Sequence, residues 1–207
     1  MELDKELNPY TLFPGFGWVE GLARLVSALT SPPILAIAGV VIATQTVAKS
    51  TAWAWAAFIL LLSVILPLLY VSWLLRAGKV KSFHLDVREE RKRPLLFLLF
   101  NIVLVWAVLI IAGASNVFLM IATAGLVLGA LMYLVTLYWK ISGHCAAAGG
   151  LTALTCMLFG QEAMVLSIII PIVAWSRLRL RSHTLSQTVA GAILGDVIFA
   201  LTFYMVK

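Results

Sequence analysis

The chain is short of charge. Of its 207 residues only 12% are Asp, Glu, Lys or Arg, while 62% are hydrophobic, and the mean hydropathy is +1.04. A soluble domain carries about 25% charged residues, so a water-exposed globular surface is excluded. Cysteine is scarce as well. Cys145 and Cys156 fall in one apolar segment, read as small packing residues, and predict no disulfide. The opening MELDKELNPY is acidic and polar, the reverse of a basic signal-peptide start, so no cleavable signal is expected. No hydrophilic stretch is long enough for a soluble domain, a linker or a low-complexity tail.

What remains is hydrocarbon in runs. Seven apolar segments can be drawn, near the ~20 residues that cross a bilayer. They cover roughly 33–47, 53–75, 95–112, 117–139, 145–159, 164–175 and 185–206. Before them, residues 18–29 form an amphipathic stretch, suited to the membrane interface or to extending the first span through Pro32-Pro33. The fold class expected is all-α: a polytopic transmembrane bundle of about six to seven spans, one domain over 1–207. Residues 1–31 form its N-terminal segment, and 86–187 carry its polar loops.

The cations sort to one side. If all seven segments cross, Lys5, Arg24, Arg76, Lys79, Lys81, Arg88, Arg91, Lys92, Arg93, Lys140, Arg177, Arg179 and Arg181 share a face, leaving Lys49 and Lys207 on the other. The positive-inside rule makes the basic face cytoplasmic. Trp73, Trp139 and Trp175 fall near that face, and Trp53 and Trp55 near the other, as interfacial belts require. The net charge of +6 therefore points to anionic lipid headgroups and not to nucleic acid.

Three polar stretches interrupt the hydrocarbon, at 84–94, 140–144 and 176–183, and each contains a histidine. Two segments separate each from the next, so all three can meet on one side. Ser142-Gly143-His144 stands where a loop enters a helix of small residues. A Ser cap with free N–H groups suits an anion, and glycine allows close backbone approach. His183 and Gln187, four apart, share a helical face.

The order of these residues resembles the signature of the type 2 phosphatidic acid phosphatase superfamily, the lipid phosphate phosphatases and their relatives. Its motifs are Lys, six residues, Arg-Pro; then Pro-Ser-Gly-His; then Ser-Arg, five residues, His, three residues, Asp. The chain offers Arg93-Pro94, Ser142-Gly143-His144, and Ser176-Arg177 with His183 after five residues. The resemblance implies that His183 is the nucleophile, forming a phosphohistidine. His144 then protonates the leaving oxygen and activates water. Arg93, Arg177, Ser142 and the Gly143 N–H hold phosphoryl oxygens, with no metal or other cofactor, and the substrate is a lipid phosphate.

Two positions depart from the signature. Asp86 stands in place of the lysine, for which Arg88, Arg91 or Lys92 can substitute. Gln187 stands in place of the final Asp and can orient His183 but adds no charge. These departures keep a second reading open, a membrane binding or scaffold protein with an impaired site. A magnesium-dependent prenyl-diphosphate enzyme built on Asp86, Glu89 and Glu90 lacks a second acidic cluster. A transporter finds no repeat or paired broken helices. Oligomeric state is not legible. Asp196, mid-way along the last apolar segment, is expected to face the bundle interior or to be protonated. Gly191 and Gly195, with the 146–150 run, predict close helix packing.

Overall fold

The structure is a computed structural model that describes residues 17–81 and 87–206. Lys5, His84, Asp86 and Lys207 lie outside the described residues. Among the described residues the chain is all helical: α1 Gly17–Leu29, α2 Pro32–Gln45, α3 Ala52–Leu60, α4 Leu66–Arg76, α5 Lys92–Ile111, α6 Asn116–Tyr138, α7 Gly143–Phe159, α8 Ile169–Arg179 and α9 Leu185–Val206. A π-helical turn, Leu61–Ile65, joins α3 to α4. Stretches of 3₁₀ helix, Glu89–Arg91 and Gln161–Ile168, lead into α5 and α8.

Five helices are long and apolar enough to cross a membrane, spanning 52–76, 89–111, 116–138, 161–179 and 185–206. The pair α1–α2, bent by 46°, makes a sixth if counted as one span. The α7 helix, apolar but only 17 residues long, occupies the remaining apolar segment. This is a multi-pass helical membrane protein, as composition predicted.

Local chemistry explains the breaks. Pro32 and Pro33 open α2, where a missing N–H costs nothing. The π turn precedes Pro67, which has no N–H to give the Ser63 carbonyl. The helices α4 and α5 end in Schellman turns at glycine. At Gly78 (φ 67°) the Lys79 N–H reaches the Leu74 carbonyl, and at Gly113 (φ 62°) the Ala114 N–H reaches Leu109.

Small residues bring α7 and α9 together. A side chain at Gly195 would collide with the Ala146 carbonyl, and one at Gly191 with that of Ser142. This is the close packing expected from the glycine pair. Away from the polar loops, Ala52, Ile59, Val105, Leu109 and Phe118 form a buried apolar core. The α1 helix packs on α8, where the Ser176 hydroxyl donates to the Ala23 carbonyl at 2.8 Å. Of the two alternatives expected for Asp196, interior or protonated, the structure does not show the first. Asp196 is exposed, on a groove that it lines with Thr152, Ser167 and Thr188. Gly195 takes the helix face against α7, which turns its neighbour outward.

Candidate active site

The polar connections α4–α5, α6–α7 and α8–α9 come to one end of the bundle. There Arg91, Gly143, His144, Arg177 and His183 line a single cavity. Residues from three separated stretches thus line one cavity, an arrangement that the count of segments allowed.

Arg177 lies in the last turn of α8, only 3% exposed. A charge so buried needs hydrogen bonds, and its Nη1 donates to the Ser27 hydroxyl of α1 at 2.6 Å. The amphipathic N-terminal helix therefore braces Arg177 through Ser27, a role its sequence did not reveal. Ala23 and Ser27, four apart, are its two buried residues, and that spacing was the available signal.

The chain then reverses. The Ser182 N–H donates to the Arg177 carbonyl at 3.1 Å and the Arg181 N–H to Leu178 at 2.9 Å. This is a Schellman turn with Arg181 (φ 51°) in the position that favours glycine. It fixes His183 relative to the end of α8.

His183 is 8% exposed, and its Nδ1 lies 3.0 Å from Gln187 Oε1. The Thr184 backbone N–H donates to the same oxygen at 3.2 Å. An N–H facing that atom requires it to be the amide oxygen, an acceptor. Nδ1 must then be the donor, and Nε2 carries the lone pair. Burial pushes the imidazole down to about 4. The Arg91 charge adds to the depression, the Gln187 bond opposes it, and the Arg177 and Lys140 charges lower it further.

Ser142 is fully buried and caps α7, its hydroxyl accepting the Cys145 N–H at 3.4 Å. Its own N–H donates to the Gln187 carbonyl at 3.2 Å, tying the two histidine-bearing loops together. Ser142 thus shapes the site, while Gly143 and His144, the first residues of α7, line the cavity at the positive end of that helix.

The first polar stretch is arranged differently. Arg93 is exposed and does not line the cavity. Arg88 pairs with Glu89 at 2.9 Å, and its Nη1 donates to the Tyr138 carbonyl at 2.9 Å. Among the described cations of this stretch Arg91 is the one that lines the cavity, with Nη1 donating to the Ile141 carbonyl at 3.2 Å. Arg91, Pro94, Leu95 and Leu98 all line it, and their spacing marks one helical face. Arg93 falls off that face.

Residues 138–207 match the family model of the PAP2 superfamily. The PAP2 match covers the second and third polar stretches and α7 to α9, about a third of the chain, and includes His144, Arg177, His183 and Gln187. Arg91 lies outside the PAP2 segment. The match supports a phosphatase-like function at the level of the family. No curated protein and no solved structure matches the chain.

Proposed function

We propose that the protein is an integral-membrane phosphatase or phosphotransferase acting on a lipid phosphate monoester or diphosphate through a phosphohistidine, without a metal. The carrying observation is the cavity shared by His144, His183, Arg91 and Arg177. His183 Nε2, with its lone pair free, attacks phosphorus. The N–P bond forms as the P–O bond to the leaving group breaks, and His144 supplies the proton to the departing oxygen. His144 then takes a proton from water, which attacks phosphorus and displaces the imidazole, releasing phosphate. If an alcohol replaces water, the phosphoryl group is transferred.

Phosphoryl transfer rests mainly on positioning and on charge stabilisation. Arg91, Arg177 and the Gly143 N–H at the start of α7 supply that stabilisation in this reading. Arg88 and Arg93 draw the anionic headgroup to the basic face, and Ser142 holds the geometry. The asymmetry of cations supports a cytoplasmic placement of this face.

Gln187 favours the second reading, a binding protein with impaired catalysis, because an amide cannot stabilise imidazolium by charge. Phosphate release from a panel of lipid phosphates in metal-free detergent tests both, with His183→Ala and His144→Ala as controls. Release that survives both substitutions rules out the mechanism. Binding without release from any substrate supports the second reading.

A further inference from the structure

The site is only the upper end of its cavity. Below Arg91, His144, Arg177 and His183 the void continues between α2, α3–α4, α5, α6 and α7, and the whole cavity, site included, has a volume of about 730 Å³. Among the described residues no other charged side chain lines it, Ser31, Ser63 and Thr136 are its only side-chain hydroxyls, and the rest of the wall is apolar. Its far end, at Ile59, Val105, Ile121 and Phe199, rests on the buried core that includes Leu109 and Phe118.

Depth follows from the helices. Arg91 and Val105 both line the void, and fourteen residue steps between them span about 21 Å at 1.5 Å per residue. Half of a bilayer's hydrocarbon core is about 15 Å. Ten of those steps, about 15 Å, lie beyond Leu95, where the apolar segment begins, so the void reaches about the midplane, the depth of one leaflet. Its capacity is equally telling. At about 30 Å³ per water-sized group it holds roughly two dozen groups, fewer than the ~32 carbons of two sixteen-carbon tails.

We propose that this void is a tail chamber that takes the single hydrocarbon chain of a one-tailed lipid phosphate or diphosphate, and that its floor sets the chain length accepted. The proposal rests on the phosphatase reading for the headgroup, and its occupant is argued from the continuity of chamber and site. Gly125 is the specificity-determining position. It lines the chamber one helical turn above Ile121 at the floor, and a Cβ there would meet only Ile102 Cδ1, at 4.0 Å. A larger side chain would thus grow into the void.

The test uses the full-length protein in lipid nanodiscs. Single-tailed alkyl and prenyl phosphates of graded length, each with a photoreactive diazirine at the tail end, are crosslinked and the labelled peptides mapped. Long tails should label the segments holding Val105, Ile121 or Phe199, and Gly125→Leu should reduce that labelling at least tenfold while sparing short tails. In the release assay, the same substitution should reduce turnover of long substrates tenfold and leave short ones within about twofold.

Labelling confined to outward residues such as Phe100 and Ile111 would overturn the chamber, whatever the release assay shows. Equal floor labelling by a diacyl phosphate would overturn the single-tail assignment. Floor labelling that survives Gly125→Leu would overturn the role of Gly125. Floor labelling without phosphate release from any substrate would leave the chamber standing and remove the phosphatase reading. Alkyl and prenyl probes separate the two chemical sources of the tail.

Discussion

His183 Nδ1 and Gln187 Oε1 lie 3.0 Å apart, one helical turn along the start of α9, and the Thr184 N–H holds the same amide oxygen. Gln187 thereby fixes the imidazole tautomer without adding a charge. Removing it should misorient the nucleophile but remove no electrostatic stabilisation. Gln187→Ala should lower kcat about 10²-fold, less than the ~10⁴-fold seen when a charged orienting carboxylate is lost. Gln187→Asp should raise kcat and raise the His183 pKa. Steady-state release by the two variants, with histidine NMR titration, checks both.

Burial and two nearby guanidinium groups keep His183 neutral down to about pH 4. The acid limb of kcat/KM should therefore fall near pH 4, well below the 6.5 of a free imidazole. Arg91→Ala removes a depressing charge and should move the limb upward. Stability has the same sign. Between pH 6.5 and 4 the unfolded chain binds the proton that folded His183 refuses. The stabilising contribution is full above pH 6.5 and is lost as pH falls through that window. Thermal denaturation of the wild type and His183→Asn across pH 4–7 should show a smaller dependence in the variant.

Arg91 lines the cavity and Arg93 does not. Arg91→Ala should reduce kcat/KM by 10² or more, on the scale of losing one transition-state donor. Arg93→Ala should cost less than about fivefold, and a low-salt assay should recover that loss if Arg93 acts only by steering. Equal losses from the two substitutions would contradict the placement.

Gly195 has no room for a methyl group against the Ala146 carbonyl. Gly195→Ala should destabilise the protein by about 1–3 kcal/mol through forced separation of α7 and α9. Because Ser142 and Gln187 join the same helices, activity should fall too. Thermal unfolding in detergent measures the first effect, and phosphate release the second.

Much of this was legible in the sequence because a bilayer imposes simple rules. Long apolar runs predicted the helices, and the spacing of polar loops brought His144, Arg177 and His183 to one end. Gly191 and Gly195 announced the tight pair. Ser142 caps α7, as its place before the helix suggested. What escaped depended on the facing of side chains. Arg93-Pro94 carried the family signature, yet helical phase relative to Pro94 and Leu98 turns Arg91 inward. Ser27 offered only its four-residue spacing from Ala23 until α1 packed on α8. Asp196 was expected inside or protonated, and close contact at Gly195 orients it outward.

The central claim is that His183 becomes phosphorylated. A lipid phosphate labelled with ³²P, mixed with the protein and quenched in alkali within milliseconds, should leave label on the peptide containing His183. His183→Ala should carry none, and His144→Ala, slow to activate water, should retain the label longer than wild type. Label on another residue, or phosphate release that continues in His183→Ala, would contradict the mechanism.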